Sequence, residues 1–276
     1  MNVYPAPAKL NLFLHVVGRR PDGYHLLQTL FRFLDFGDSL EIGVRRDGDI
    51  HLLSPLRGVP EESDLCGRAA RLLKSHTVCR LGADIRLIKR LPLGGGLGGG
   101  SSDAATVLLA LNRLWRLDLP RVELQALGLR LGADVPVFVF GRSAFAQGVG
   151  EVLEPWTPAP ASYVVLTPPV HVSTPAVFAH PGLTRDTPAV TIAALSEGFG
   201  HNDLQPVACA LNPVVADYLG WLQERGDARM TGSGACVFAA FPDRSAAEKV
   251  FAERPGHMSG FVADGVDQHP LFGFAD

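Results

Sequence analysis

Cysteine is scarce in this sequence, and long apolar runs are missing. The four cysteines among the 276 residues are scattered without any Cys-x-x-Cys spacing, which favours buried free thiols over a disulfide scaffold or a zinc site. No stretch approaches the roughly 18 uninterrupted apolar residues of a membrane helix. The first residues also lack the basic start and apolar core of a secretory signal. We therefore expect a cytoplasmic protein that has no membrane partner.

A basic excess is missing as well. Lysine and arginine number 25 against 28 aspartates and glutamates, which gives a formal net charge of −3. Proteins that bind nucleic acid through its phosphates usually carry a basic surplus. We therefore expect no nucleic-acid partner, and any anion that binds must be held by local geometry.

Prolines concentrate in one window, residues 154–161, which contains three of them. Proline disfavours both helices and central strands, so this window is the predicted linker between two domains, 1–155 and 156–276. A chain of 276 residues has the length of two domains of ordinary size.

Apolar periodicity predicts strands and helices on both sides of this linker. Alternate residues from Leu10 to Val16 are apolar, which is the period of a strand. Further predicted strands cover residues 39–45, 49–53, 83–89, 163–166, 235–241 and 260–266, and predicted helices cover residues 63–76, 102–115, 121–131, part of 203–225 and 245–253. Ser63 is the predicted cap of the first helix, and Pro206 and Pro213 are predicted to break the helix within 203–225. The predicted fold class is α+β.

The strongest local signal is a run of glycines at residues 94–100. Six of these seven residues are glycine, and they lie between a predicted strand and a predicted helix that starts near Ser102. Backbone without side chains lets several N–H groups converge on one anion, and the positive end of the following helix points at the same place. The run therefore predicts a polyphosphate cradle, in which Ser101 and Ser102 supply hydroxyls for capping the helix or for ligating magnesium.

Other interpretations of the glycine run fit less well. Gly94, Gly96 and Gly99 match the Gly-x-Gly-x-x-Gly fingerprint of dinucleotide-binding proteins, but that fold needs an acidic residue on a second strand about 20 residues later. Asp118 has this spacing, yet no strand is predicted to carry it. A Walker loop would require a Gly-Lys-Ser/Thr ending, which is missing. A plain flexible turn would not need so many glycines between a strand and an apolar helix.

Three segments resemble the motifs of the GHMP kinases. Residues 92–102 resemble the ATP loop of that family, residues 7–12 resemble its first motif, and residues 231–235 resemble its third. Because these motifs occur in the family's order, the chain is identified as a member. The resemblance implies a ribosomal-protein-S5-like N-terminal domain, a ferredoxin-like C-terminal domain and a site in the cleft between them. It also implies ATP as the phosphoryl donor, together with Mg²⁺.

The resemblance assigns nucleotide-binding residues by position. They are Pro92, Gly94, Gly95, Gly96, Leu97, Gly98, Gly99, Gly100, Ser101 and Ser102, with Lys89 and Asp103 beside them. Asp64 and Asp103 stand where members of the family often carry asparagine. No residue is assigned as a protein ligand of the magnesium ion.

Further segments narrow the resemblance to members that phosphorylate a small cytidyl-sugar. These segments are residues 22–25, 132–136 and 172–178. They imply that Tyr24, His25 and Phe178 bind the cytosine ring, since aromatic side chains stack on bases with about 1–3 kcal/mol each. Thr174 is expected to contact the phosphates or hydroxyls of the same substrate. The residues alone would also fit simple core packing of Tyr24 and Phe178.

Phosphoryl transfer needs positioning and charge stabilisation, and three polar residues are candidates for these tasks. Lys9 and Asn11 share one face of their strand because side chains alternate there, and Asp134 directly precedes Val135 and Pro136. Without the resemblance, a solvated strand face and an Asx turn remain open. The resemblance implies that Lys9 and Asp134 are catalytic, with Asp134 as the general base, and that Asn11 positions Lys9 or substrate.

Two other functions remain open on the sequence. A GHMP kinase for a different alcohol, such as homoserine or mevalonate, would share the three motifs. A nucleotide-binding sensor without catalytic activity would share the fold, but it should have lost Lys9 or Asp134, and this chain carries both. The sequence does not predict an oligomeric state.

Overall fold

A computed structural model describes residues 1–56, 58–195 and 198–275 of the chain. Two long adjacent strands organise it, β1 (Asn2–Arg19) and β2 (His25–Arg45), which pair in antiparallel fashion. The register shifts between Asn11 and Leu14, and such a bulge changes the face on which the following side chains lie. As a result Leu14 lines the same cavity as Lys9 and Asn11.

The remaining strands and helices follow in chain order. They are β3 (Ile50–Leu52), α1 (Leu65–Thr77), β4 (Gly82–Ile88), α2 (Gly99–Leu114), α3 (Arg121–Leu129), α4 (Val135–Phe140), β5 (Ala144–Gln147), β6 (Val152–Pro155), β7 (Ser162–Leu166), α5 (Thr174–Ala179), α6 (Gln205–Leu211), α7 (Pro213–Gln223), β8 (Ala228–Met230), β9 (Val237–Phe241), α8 (Arg244–Ala252) and β10 (Gly260–Val266). Among the described helices, none has the length and apolar character needed to cross a bilayer.

The strands of the described ranges form one connected sheet. Its main path runs β3-β4-β2-β10-β7-β9-β8, with β1 and β5 paired to β2 and with β6 paired to β5. Strand β10 joins the two halves of the chain, since it pairs with β7 from Gly260 to Asp264 and with β2 at Gly265 and Val266. Helices α1, α2 and α4 pack with the first half, and α7 and α8 pack on β9 and β7 of the second half.

A buried arginine reinforces the junction at β10. Arg32 of β2 is 2% exposed, and its guanidinium donates to the Gly265 carbonyl at 2.9 Å and to the Asp267 carboxylate. Leu271 and Ala275 then pack into the core of the first half. Residues near the C-terminus therefore complete the hydrophobic core of the first half. The predicted domain boundary at residue 155 stays a prediction.

Most predicted elements are present, but several begin elsewhere. The predicted strand at 39–45 is the end of β2, which starts at His25. Residues 28–34 of β2 are buried on both faces, so they lack the alternation that marks a half-exposed strand. The predicted helix at 102–115 is α2, whose helical backbone already begins at Gly99.

Two local predictions were wrong, the cap at Ser63 and the helix break at Pro206. Asp64, not Ser63, caps α1, since its carboxylate accepts hydrogen bonds from the backbone N–H groups of Cys66 and Gly67. The predicted break at Pro213 is confirmed, since α6 ends at Leu211 and α7 begins at Pro213. The predicted break at Pro206 was wrong, because Pro206 lies in the first turn of α6, where proline is favoured since its nitrogen has no N–H to donate. The proline window overlaps the end of β6 at residues 154 and 155, and the domain boundary predicted there stays a prediction.

The end of α1 allows a stability prediction. Val78 follows the helix with left-handed dihedrals, φ 53° and ψ 29°, and its side chain is 85% exposed. An L-residue with a Cβ pays about 1–2 kcal/mol in this region, whereas glycine adopts it freely at a smaller entropic cost. We expect Val78→Gly to raise the free energy of unfolding in urea by about 0.5–1 kcal/mol.

Val122 provides the matched control for this exchange. It is also exposed, at 71%, but it lies in the first turn of α3. Val122→Gly should therefore lower stability by a few tenths of a kcal/mol. Equal losses for both variants would show that the left-handed backbone at Val78 carries no strain.

Candidate active site

A buried lysine forms the centre of a cavity between β1, the glycine run and α4. The Lys9 side chain is 2% exposed, and its Nζ lies 3.1 Å from Oδ2 of Asp134. The same ammonium donates to Oδ1 of Asn11 at 2.6 Å and to the carbonyl of Gly96 at 3.1 Å. A charge buried this deeply must be compensated by partners, and here all three protons of the ammonium have one.

Asp134 is the exposed member of this pair. It immediately precedes α4, and 37% of its side chain is accessible. One carboxylate oxygen contacts Lys9, and the carboxylate lines the cavity. Lys9 and Asp134, the two residues that the resemblance implies to be catalytic, are far apart in sequence and are in contact in the structure.

Asn11 is held in one orientation by two threonines. Its Nδ2 donates to Oγ1 of Thr29 at 2.9 Å, and the Thr29 hydroxyl donates onward to the Phe13 carbonyl. The backbone N–H of Asn11 donates to Oγ1 of Thr231 at 3.0 Å. The side-chain oxygen of Asn11, Oδ1, therefore faces Lys9. Sequence reasoning missed both threonines, although Thr231 begins the third motif.

The glycine run is packed against both halves of the chain. Lys9 N donates to the Leu97 carbonyl at 3.0 Å, and Cys236 N donates to the Gly95 carbonyl at 3.1 Å. Gly96 has φ +77°, and a Cβ there would lie 2.2 Å from the Thr231 carbonyl oxygen. A Cβ on Gly98 would lie 3.0 Å from the Lys9 side chain. Glycine is thus required at these two positions by close backbone approach.

The two serines after the glycines do not cap α2. The helix begins at Gly99, its cap residue is Gly98, and no side chain accepts a bond from its first turn. The capping role predicted for Ser101 and Ser102 was therefore wrong. Unpaired N–H groups at a helix start attract anions, and Ser101 lines the cavity at this end. The hydroxyl of Ser102 is buried and has no hydrogen-bond partner among the described residues.

Lys89 and Asp103 lie beneath the glycine run and contact each other. Nζ of Lys89 donates to Asp38 at 2.6 Å and to Asp103 at 3.0 Å, and Asp38 also accepts from the backbone N–H groups of residues 90 and 91. Burial raises the pKa of Asp103 to about 7; Lys89 opposes this rise and Asp38 adds to it. This cluster ties α2 to the segment before the glycines. Nucleotide contacts of Lys89 and Asp103 stay predictions.

The remaining predicted site residues line an adjoining cavity, which we call the aromatic cavity. They are Tyr24, His25, Thr174 and Phe178. His25 and Phe178 stack on each other, with ring centroids 4.8 Å apart and an interplanar angle of 27°, and Tyr24 beside them is 66% exposed. Oγ1 of Thr174 lies 2.6 Å from Oγ of Ser233, in the third motif. The two cavities share the residues Leu27, Ala133, Val149, Thr174 and Phe178. The structure thus joins the predicted catalytic and aromatic residues in one cleft.

Family comparisons agree with this geometry. Residues 64–142 match the GHMP kinases N terminal domain, and residues 187–259 match the GHMP kinases C terminal domain. A 4-diphosphocytidyl-2-C-methyl-D-erythritol kinase of Thiobacillus denitrificans is 63% identical over 98% of both chains. Another from Nitrosospira multiformis is 59% identical over 99% of this chain and 94% of the relative.

Solved structures extend the similarity to the fold. A crystal structure of 4-(cytidine 5'-diphospho)-2C-methyl-D-erythritol kinase matches with a TM-score of 0.81 and 36% identity, over 96% of this chain and 99% of the other. A homoserine kinase from Cytophaga hutchinsonii matches with a TM-score of 0.72 at 16% identity, over 97% and 94%. The second match shows a shared fold alone.

The chain therefore belongs to the GHMP kinases and, within them, to the family of 4-diphosphocytidyl-2-C-methyl-D-erythritol kinases. The predicted α+β fold of these kinases is confirmed. The roles of individual residues stay predictions.

Asp103 gives a prediction about pH. A carboxyl that holds its proton more tightly in the folded state stabilises the fold fully below its unfolded pKa of 3.8, and this contribution is lost as the pH rises through about 7. Asp103→Asn removes the ionisation and leaves an acceptor for Lys89. Between about pH 5 and pH 8, stability of the wild type should fall relative to the variant by about 2 kcal/mol.

Urea denaturation across this pH range measures the difference. Asp217→Asn, at an exposed position on α7, is the control and should leave the pH profile unchanged. Parallel profiles of the wild type and Asp103→Asn would show that Asp103 is ionised throughout.

Proposed function

We propose that this protein transfers the γ-phosphoryl group of ATP to the 2-hydroxyl of 4-diphosphocytidyl-2-C-methyl-D-erythritol, a step of non-mevalonate isoprenoid biosynthesis. The observation that carries the proposal is the 3.1 Å contact between Lys9 and Asp134. This contact lies where the glycine run meets the aromatic cavity. The names of the relatives support the choice of substrate.

Asp134 is the proposed general base. Its exposed carboxylate can accept the proton of a hydroxyl that enters the cavity, while Lys9 keeps the carboxylate oriented. An aspartate is a weak base at an ordinary pKa near 3.9, but the loose transition state of phosphoryl transfer needs little nucleophilic push. Lys9 stabilises the charge on the transferring group, and Asn11 fixes Lys9.

The glycine run and the first turn of α2 form the proposed site for the ATP phosphates. Their backbone N–H groups supply donors, and Ser101 borders the same space. Within the described ranges, no group of three His, Cys, Asp or Glu side chains has the arrangement to hold a metal ion. A magnesium ion that arrives on ATP, with phosphate, water and the serine hydroxyls as ligands, fits these residues. Magnesium would neutralise the charge of the phosphates.

The aromatic cavity is the proposed site for the cytosine ring. His25 and Phe178 contact each other, which leaves no room for a base between them. We therefore place the base beside Tyr24 and Phe178, with its polar edge toward the ring edge of His25. The diphosphate and sugar would then extend past Thr174 toward Lys9. The four cysteines are free thiols, which supports a site of action in the reducing cytoplasm.

A substrate panel tests the proposed function. An assay for ADP release should show turnover with 4-diphosphocytidyl-2-C-methyl-D-erythritol and none with mevalonate or homoserine at equal concentrations. Turnover with one of those two alcohols would assign the chain to another substrate class. ATP binding without any turnover would assign it to the nucleotide sensors.

Variants of the central pair test the mechanism. Asp134→Asn keeps the shape and removes the charge, so kcat should fall by about 10²–10⁴ while both substrates bind. Lys9→Met should lower kcat as strongly. The double variant should be little worse than either single variant, because the two residues act as one unit.

Calorimetry with each substrate and a thermal melt provide the controls for these variants. Near-native kcat in a folded Asp134→Asn protein would make Asp134 a turn residue. Transfer would then proceed by positioning and electrostatics alone.

A further inference from the structure

Arg185 is fixed beside the aromatic cavity by backbone carbonyls. Its Nη1 donates to Leu183 at 3.0 Å, and its Nη2 donates to Phe178 at 2.9 Å and to His180 at 2.8 Å. These contacts hold the guanidinium in the loop that follows α5. Its Nε donates to Nε2 of His25 at 3.3 Å.

The contact with Arg185 determines which nitrogen of His25 carries the proton. A guanidinium has donors and no acceptor, and it keeps its charge at every accessible pH. Nε2 of His25 must therefore accept, which it can do only as the unprotonated nitrogen. Burial lowers the pKa of His25 below its usual range, and Arg185 and Arg19 lower it further. A neutral imidazole has a single N–H, so that proton lies on Nδ1.

The Nδ1–H group of His25 is left for a ligand. Among the described residues the His25 ring has one hydrogen-bond partner, Arg185 at Nε2, and the ring lines the aromatic cavity with Tyr24 and Phe178. A fixed donor at this place matches the lone pair on the ring nitrogen N3 of cytosine. Uracil carries a hydrogen on N3. The Nδ1–H group of His25 would then face the N3–H group of uracil, and neither group could accept a hydrogen bond.

We propose that Arg185 is a positioning residue for base specificity, which locks His25 as an Nδ1–H donor and so favours cytosine over uracil. This inference rests on the proposed function, because it assumes that the aromatic cavity binds the base. It assigns Arg185 no contact with the substrate. An Nε2–H imidazole, the form that free histidine prefers, would present an acceptor to the base and would reverse the preference.

The tautomer can be measured directly in the ligand-free wild type. Long-range proton–nitrogen NMR correlation on protein labelled with ¹⁵N-histidine distinguishes the two neutral forms, and we expect His25 to carry its proton on Nδ1. Arg185→Met should release the ring to the Nε2–H form. Arg19→Met removes the other nearby cation, whose Nε donates to the Gly23 carbonyl, and should leave the tautomer unchanged. A proton on Nε2 in the wild type would overturn the inference.

Specificity is measured by calorimetry without ATP, so turnover is not needed. The wild type should bind the cytidyl substrate more tightly than its uridyl analogue, and Arg185→Met should reduce that ratio by about tenfold. The variant should raise KM for the cytidyl substrate more than it lowers kcat. An unchanged ratio in a variant that merely melts earlier would make Arg185 a structural residue only and would overturn the inference. Failure of the proposed function would appear separately, as absent ADP release in the wild type.

Discussion

The buried ammonium of Lys9 is the interaction on which the arrangement of the site depends. A charge that is 2% exposed is tolerable only with partners on every side, and each partner comes from a different part of the chain. Asn11 belongs to β1, Gly96 belongs to the glycine run, and Asp134 precedes α4. Satisfying one lysine thus brings β1, the glycine run and the start of α4 together at a single point, and these are the parts for which we propose the acceptor side, the phosphate side and the base.

Close approach of backbones explains why glycine recurs around this lysine. The run at residues 94–100 lies against the Lys9 side chain and against the third motif, with Thr231 bonded to both Asn11 and Gly96. A side chain at Gly96 or Gly98 would separate surfaces that must touch. The glycines therefore serve the packing of the site as well as the anion binding that we propose, and both demands select the same residue.

The sequence predicted the parts of the site whose signal is local. The glycine density marked a segment that borders the cavity of Lys9 and Asp134, and the strand period placed Lys9 and Asn11 on one face. The cap at Asp64 and the start of α2 at Gly99 were missed by one to three residues, because capping depends on dihedral angles that composition does not show. Thr29 had no signal at all, since it is one of several buried polar residues in a strand that is buried on both faces, and it acts through its contact with Asn11.

The junction at β10 has a consequence for how the chain is made. The hydrogen-bond acceptors of Arg32 follow it in the chain by 233 residues or more, so they are synthesised much later. At the usual pace of synthesis, about 5–20 residues per second, that interval lasts roughly 12–50 s. During this time the nascent first half must keep a guanidinium hydrated and a stretch of β2 unpaired at the ribosome. Strand β10, which is synthesised late, thus completes the sheet around β2, which is synthesised early. Truncation before β10 would remove the hydrogen-bond partners of Arg32 in the first half of the chain.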